Sequence, residues 1–433
     1  MDSIKLTKIL SGYFFFYSDI GAPTLINIEM NDAVNCAILQ KAFDRAVVRY
    51  PYFKTQIVWK DGDIYLAQNS RPMVVGSSEE LRRLGSKELG YHLLEVHGYD
   101  HTIGIQFHHG IADGNGVMPF IRTLLYSYLC EYYGRDFNAP LIIKPDSQID
   151  PKEYTEPIGE QFYPETGDVH ITRPEHVYGL PELQEKAGLK QCYFTHIRFP
   201  MKEFVSYMKH QDASPAILIS LLFSMAIDRV HPDHDGEIVA NLVWNFRKEL
   251  GMTGSHNDSF SSIFLKYDEK LKQIPFDLQG TCFRGMTFAQ TKENDAYIIA
   301  NQLIGLRKKA EEYGGYEGKF RFLYSVLSRS HGETVPVSYT GQMQMGECEQ
   351  KIADMFIYPT GTYTIGVEVS SVNDSLSIDI QMNNDISVYS DAFCDILKEK
   401  GIPFERKPII KIDFPVTNAS MIEEAKTNPL SEM

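Results

Sequence analysis

The chain has 433 residues, 43% of them hydrophobic and 12% aromatic, which supports two folded lobes and excludes a disordered or fibrous protein. Its formal net charge is −15 and it has no Lys/Arg-rich run, which excludes a general nucleic-acid binder. A phosphorylated partner then needs a local basic patch, for which Arg82, Arg83 and Lys87, or Arg307, Lys308 and Lys309, are the candidates.

The run 9–17 is dense in Phe and Tyr, broken by Gly12 and followed by Asp19, so it reads as a strand (13–17) rather than a signal peptide. A second strand is expected at 24–30. The spacing of Val34, Ala37, Ile38, Ala42, Phe43 and Val47 predicts a helix over 31–50, with Asn31 or Asp32 as N-cap and Pro51 ending it. Strands follow at 53–59 and 63–66, a charged helix at 78–85, and strands at 91–96 and 102–108. The loop 109–116 leads into an amphipathic helix at 117–133. Residues 138–173 are rich in Pro, Asp and Glu with little periodicity, which places a linker or crossover there and divides the chain into 1–175 and 176–433.

The second part opens with a strand at 193–199 and a helix from Met201. Ser214 and Pro215 suit the start of an apolar helix over 214–230, and a strand at 237–245 follows. Beyond a helix at 295–313, strands are expected at 336–340, 355–358, 363–369 and 375–382, then a helix at 389–400 and a loosely held polar tail. The cluster from His231 through His234 to Glu237 lacks the spacing of a HExxH helix or an EF-hand loop and reads as a polar turn, so no metal is expected. Six scattered cysteines without a CxxC pair predict free thiols in a reducing compartment. No segment approaches the roughly 20 apolar residues of a membrane span, and a cytoplasmic protein is expected. The two parts share one strand-and-helix grammar, that of two related α/β lobes.

Chemistry concentrates in one heptad, His108-His109-Gly110-Ile111-Ala112-Asp113-Gly114, between the strand at 102–108 and the helix at 117–133. At average residue frequencies HHxxxDG arises by chance about once in several hundred chains of this length. Gly110 and Ala112 keep the backbone approachable, and Gly114 is free to take a positive φ before the helix. An imidazole with a pKa near its ordinary ~6.5 suits removing a proton from a hydroxyl or amine that attacks an activated acyl group. Adjacent strand residues face opposite ways, so one of His108 and His109 serves, and periodicity does not choose between them. Asp113 can shape the loop by pairing with an arginine elsewhere. No GxSxG-like nucleophile accompanies the heptad, so direct transfer is the simpler chemistry.

HHGIADG resembles the HHxxxDG signature of the chloramphenicol acetyltransferase/condensation-domain superfamily, including bacterial alcohol-acetyltransferase-like proteins. The stretch from Leu39 to Thr55 is similar to that family's early helix and its "RHPxLR(T)" ending, with Arg49 in place and Lys54 where the second Arg stands. Asp113 to Tyr126 resembles the "DGxGxxxFxxxLL" helix, and Val243 to Arg247 the "VNxR" strand end. Asn257 to Ser261 is a weak form of "NFF(S)", with Asp258 a departure, and Ser338 to Gly341 is similar to the "SNxG" loop, with Tyr339 and Thr340 as departures.

The resemblance implies two chloramphenicol-acetyltransferase-like lobes, each a mixed sheet with flanking helices, forming a pseudo-dimer around an interlobe tunnel. It implies His109 as general base, His108 and Gly114 as structural parts of the motif, and Asp113 paired with an arginine, Arg247 first and Arg49 second. Asn245, Ser338, Thr340 and the backbone beside His109 are candidate oxyanion or tunnel groups. The implied reaction moves an acyl group from a CoA or carrier-protein thioester to a small-molecule alcohol or amine. Acyl-CoA is then a co-substrate, with no permanently bound cofactor and no metal. A monomer is expected, because one chain supplies both lobes. The alternatives are a non-catalytic, carrier-binding member of the fold and a free-standing condensation-type enzyme, although the acidic charge disfavours an acidic acyl carrier protein.

Overall fold

The computed structural model describes residues 4–5, 11–17, 23–156, 162–164, 174–181, 191–327, 332–359, 365–415 and 418–428. A first sheet has the order Ile352–Pro359, Pro23–Met30, Thr102–His108, Leu94–Tyr99, with every pairing antiparallel. Alternation gives it one apolar face, on which Ile26, Ile28, Val96, Ile103, Ile105 and Phe107 are buried in a core shared with helices Cys36–Arg49 and Gly114–Tyr133. The first of these helices starts later than its periodicity suggests, because Asn35 Oδ1 accepts the N–H of Ala37 (3.0 Å) and Ile38 (3.2 Å). The second starts earlier, at the residue after Asp113.

A second, mixed sheet has the order Glu405–Arg406, Gln191–Pro200, Ser375–Met382, Gly366–Val372, Val335–Gln342, Ile238–Asn245, Phe260–Tyr267. Val335–Gln342 runs parallel to both neighbours and the other pairings are antiparallel. Leu376, Ile378, Ile380, Val367 and Val369 are buried with helices Pro215–Val230 and Ser387–Glu399. The alternate residues Ser377, Asp379, Glu368 and Ser338 fall on the opposite face. The chain is thus α/β, with mixed sheets and flanking helices.

Packing crosses the division at residue 175. Ile352–Pro359 belongs to the second part by sequence and hydrogen-bonds in the first sheet. Helices Glu293–Glu311 and Gly315–Leu327 bring Ala300, Ile304, Tyr316 and Leu323 into the first core. The polar tail is not loosely held over 418–427: it forms helix Asn418–Thr427, which buries Met421, Ile422 and Ala425. The expected strand at 13–17 is instead a helical turn, Phe14–Tyr17, preceded by Ser11–Tyr13. Phe15 and Phe16 are both 0% exposed, which successive residues of a two-faced strand do not achieve when only one face is covered. The charged helix at 78–85 does not form, because Arg82 is drawn to Glu95 (2.6 Å) and the Val74 carbonyl (2.7 Å) and Gly85 takes φ +69°. Strand Phe260–Tyr267 and helices Phe276–Gln290 and Gly315–Leu327 were not expected from periodicity.

The two sheets meet at a buried ion triad. His196 Nδ1 lies 2.8 Å from Asp379 Oδ1, and its Nε2 lies 3.3 Å from Asp354 Oδ2 on the first sheet, an ion-pair distance off hydrogen-bond alignment. Asp379 also accepts the Ile357 N–H at 2.8 Å. Burial opposes a charge on His196, but the two carboxylates outweigh it and push the imidazole up to about 9. A pKa raised on folding stabilises below the unfolded value near 6.5 and loses that contribution as pH rises through 9. Chemical denaturation is expected to show wild type losing roughly 3 kcal/mol more than His196→Gln between pH 6 and pH 9.5. Parallel pH profiles for the two proteins would contradict this.

A groove of about 1000 Å³ lies over the outer face of the first sheet, lined by Asn27, His97, Tyr99, Thr102, Phe356 and Phe414 among others. Thr102 is at the opposite end of its strand from His108. Among the described residues no single helix is long and apolar enough to cross a membrane. All six cysteines are free.

Candidate active site

The strand Thr102–His108 delivers the heptad to the junction of the lobes, and a single 3-10 turn, His109–Ile111, separates it from the next helix. His108 is 0% exposed. Its Nδ1 accepts the Gly110 N–H at 2.9 Å, so Nε2 carries the proton and donates to Asn418 Oδ1 at 3.0 Å. Phe15 stacks on its ring at 4.1 Å. Burial pushes this imidazole down to about 3. Both nitrogens are committed and the ring is neutral.

His109 differs. Its side chain is 21% exposed, and Nδ1 is buried without a hydrogen bond. Phe14 packs on the ring at 4.2 Å and Phe260 meets it edge-on at 5.9 Å. Burial holds the imidazole below its ordinary value, with the Asp113 carboxylate opposing.

Asp113 caps the helix, its Oδ1 accepting the Gly116 N–H at 2.7 Å. A Cβ at position 116 would sit 2.0 Å from the His256 carbonyl oxygen, so only glycine lets the helix start this close to the second lobe. Arg247 Nη2 donates to Asp113 Oδ1 at 2.7 Å and to the Asn257 carbonyl at 2.6 Å. Its Nε donates to the Ser255 carbonyl (2.9 Å) and its Nη1 to Asn245 Oδ1 (3.2 Å). Burial works against the charge on Asp113, but the guanidinium and the Gly116 amide keep the carboxyl below the usual range.

Arg49 lies elsewhere. It grips Glu153 through two bonds of 2.8 and 2.6 Å, and Tyr52 Oη donates to the same carboxylate at 2.8 Å. The Glu153 carbonyl in turn accepts the His256 N–H at 2.8 Å, so this pair braces the loop behind Asp113. Thr340 Oγ1 donates to the Val369 carbonyl (3.1 Å), and Ser338 pairs in register with Glu368. Gly114 does not take a positive φ: it is the first helical residue, and a Cβ there would lie 3.1 Å from the Thr340 methyl. Nor do Gly110 and Ala112 face an open cleft. A Cβ at 110 would strike the Phe15 ring at 2.3 Å, and Ala112 is fully buried. Each is small because protein, not ligand, packs against it.

Glu153 and Asn418 escaped the sequence reading, Phe14 stood there only within an aromatic run read as a strand, and Asp258 only as a departure. Glu153 had a usable signal, the Asp150–Glu153 capping box inside the presumed linker. Among the described residues no group of His, Cys, Asp or Glu forms a metal site. His231 and His234 are spent on Tyr389 Oη (2.8 Å) and Asp228 (3.1 Å).

No protein-family model and no curated protein matches the chain. Solved structures do. The chain is similar to polyketide synthase associated protein 5 from Mycobacterium tuberculosis at 13% identity and a TM-score of 0.57, covering 92% of this chain and 96% of that one. The epimerization domain from the third module of tyrocidine synthetase B matches at 11% identity and 0.56, covering 98% and 97%. F. graminearum TRI101, in a structure complexed with coenzyme A and T-2 mycotoxin, matches at 10% identity and 0.54, covering 92% and 97%. Matches of this extent, at such low identity, show the fold alone, and the chain therefore shares the two-lobed α/β architecture of these structures.

Proposed function

We propose that this chain is an acyltransferase in which His109 takes the proton of an alcohol or amine as it attacks an acyl thioester. The observation that carries the reading is the contrast between the two histidines: His108 has both nitrogens bonded in the interior, whereas His109 is partly exposed at the lobe junction. Among the described residues the aromatic ring contacts of His109 are with Phe14 and Phe260, and no serine or cysteine is hydrogen-bonded to its ring, which supports the simpler chemistry. Direct transfer follows. The acceptor proton goes to Nε2, the new bond forms at the acyl carbon, and collapse expels a thiolate that takes the proton back from the imidazolium.

Residues 1–175 bring the base and 176–433 the arginine that fixes the loop, with Asn245, Ser338 and Thr340 as tunnel groups. Acyl-CoA is the proposed donor, as a co-substrate rather than a resident cofactor, and TRI101's complex with coenzyme A supports it. The two basic clusters are weak candidates for the phosphate site, since Arg82, Arg83 and Lys309 pair with Glu95, Glu424 and Glu312 and Arg307 is buried. The free thiols support a cytoplasmic setting, and two lobes from one chain support a monomer. A free-standing condensation-type enzyme is the second reading, favoured by the 98% coverage in the match to an epimerization domain.

Free-thiol release from short- to long-chain acyl-CoAs, with pooled alcohols and amines, tests the proposal. Acceptor-dependent release by wild type is expected. Silence across the CoA panel combined with turnover of carrier-bound thioesters would favour the second reading. Silence with both donor classes would leave a non-catalytic protein.

A further inference from the structure

The sequence around residue 258 departs from the pattern this chain otherwise follows, and the departure places a second acid beside the first. Asp258 is 5% exposed and sits on the loop between Ile238–Asn245 and Phe260–Tyr267. Both its neighbours are tied to the Asp113–Arg247 clasp: the Asn257 carbonyl accepts from Arg247 at 2.6 Å, and the Ser259 N–H donates to Asp113 Oδ2 at 3.3 Å. The side chain therefore has little freedom, and its Oδ2 lies 4.0 Å from His109 Nδ1. Nδ1 of His109 and Oδ1 of Asp258 are both buried without a hydrogen bond. The unpartnered Nδ1 is a penalty that a small closure of the loop onto Asp258 Oδ2 removes.

We infer that Asp258 is the positioning residue of this site, a neutral carboxylic acid that accepts the Nδ1–H of His109 and so leaves the Nε2 lone pair for the acceptor's proton. The inference rests on the acyl-transfer reading for its use, but not for its geometry. Charge balance supplies the neutral form. Asp113 and Asp258 face one guanidinium, and Asp113 holds it together with two backbone amides. Burial and the adjacent Asp113 carboxylate raise Asp258 well above the usual carboxyl range, with Arg247 opposing and Glu156 adding to the rise. In the neutral form its proton points to the Asp113 carboxylate, the group that raises it, and this leaves oxygen lone pairs for His109. During transfer the substrate proton enters and leaves at Nε2, and the Asp258 proton stays in place. The 4.0 Å separation must shorten by about 1 Å, as bonds at unliganded sites commonly do on closure. The backbone carbonyl of His109 itself is the competing acceptor for Nδ1–H, so loss of Asp258 weakens the tautomer rather than abolishing it.

The test is ¹⁵N NMR of the imidazoles in the whole chain, with the His109 signal assigned by its absence in His109→Gln, alongside kcat and KM. Wild type is expected to show Nδ1 protonated and Nε2 bare. Asp258→Asn keeps a neutral acceptor and should hold that tautomer with kcat within about threefold. Asp258→Leu should shift the population towards Nε2–H and lower kcat by roughly tenfold or more at nearly constant KM. An Nε2–H tautomer in wild type overturns the inference, as does a tautomer unchanged in Asp258→Leu. A loss in Asp258→Asn as large as in Asp258→Leu overturns the neutral form. If Asp258→Leu does not fold, Asp258→Ala takes its place, since it too removes the acceptor and should show the same tautomer shift. A tautomer that follows Asp258 in a protein without thiol release would leave the positioning intact and sink acyl transfer instead.

Discussion

Replacing His109 with alanine is expected to lower thioester-dependent acyl transfer by about 10²- to 10⁴-fold, the usual share of general-base assistance. The loss should fall on kcat more than on KM, because the imidazole engages the proton in transit rather than the bound acceptor. The chain should stay folded: the ring is partly exposed and its Nδ1 is tied to no other side chain. His108→Ala is the contrasting variant. That ring is fully buried, stacked on Phe15 and bonded at both nitrogens, so its removal is expected to destabilise the whole junction. The pH dependence carries the same signature. Burial holds His109 below its ordinary value, so the base form persists as pH falls past 6.5. Wild-type kcat/KM should therefore decline only below that point, and the residual activity of His109→Ala should lack this acidic limb. An alanine variant retaining more than a tenth of wild-type rate would remove His109 as the base.

Much of this site was legible because local signals and tertiary demand agreed. Strand 102–108 and the HHxxxDG turn have local signatures and formed where those lay, while the helix after them starts at Gly114 rather than 117 because Asp113 caps it. Arg247 came from a strand end with a recognisable pattern, and its guanidinium reaches Asp113. What escaped depends on partners distant in sequence. Phe14–Tyr17 has the composition of a strand but folds as a turn, because His108 and Tyr316 draw Phe15 and Phe16 to one side. The closing helix is polar enough to read as a tail, and only its contact with His108 through Asn418, 310 residues away, gives it a place in the site. Gly110 and Ala112 read as room for substrate, whereas the Phe15 ring fills the space at 110 and Ala112 is fully buried. Composition identifies where the backbone is crowded without saying by what.

Arg247→Leu is expected to destabilise the protein by about 3–5 kcal/mol at neutral pH, because it leaves a buried carboxylate without its cation. Asp113 and Arg247 are each 4% exposed, so water does not replace the lost partner. The Ser255 and Asn257 carbonyls lose their donors in the same step. The sign of the pH dependence follows from Asp113. Its folded pKa lies below the ordinary 3.8, so its pairing stabilises above that value and the contribution fades as pH falls through the folded pKa. In the variant Asp113 loses the cation and protonates at higher pH, so the deficit against wild type should shrink between pH 7 and pH 4. Denaturation of Arg247→Leu, Asp113→Asn and the double variant measures this. The double should be more stable than Arg247→Leu alone, since it removes the uncompensated charge. A deficit below about 1 kcal/mol, unchanged with pH, would mark the clasp as no stronger than a surface pair. Arg49→Leu strands Glu153 in a comparable way but one layer behind the loop. Its stability cost should come with a smaller change in kcat, because Arg247 alone bonds both Asp113 and the loop that carries Asp258 and leads to Phe260.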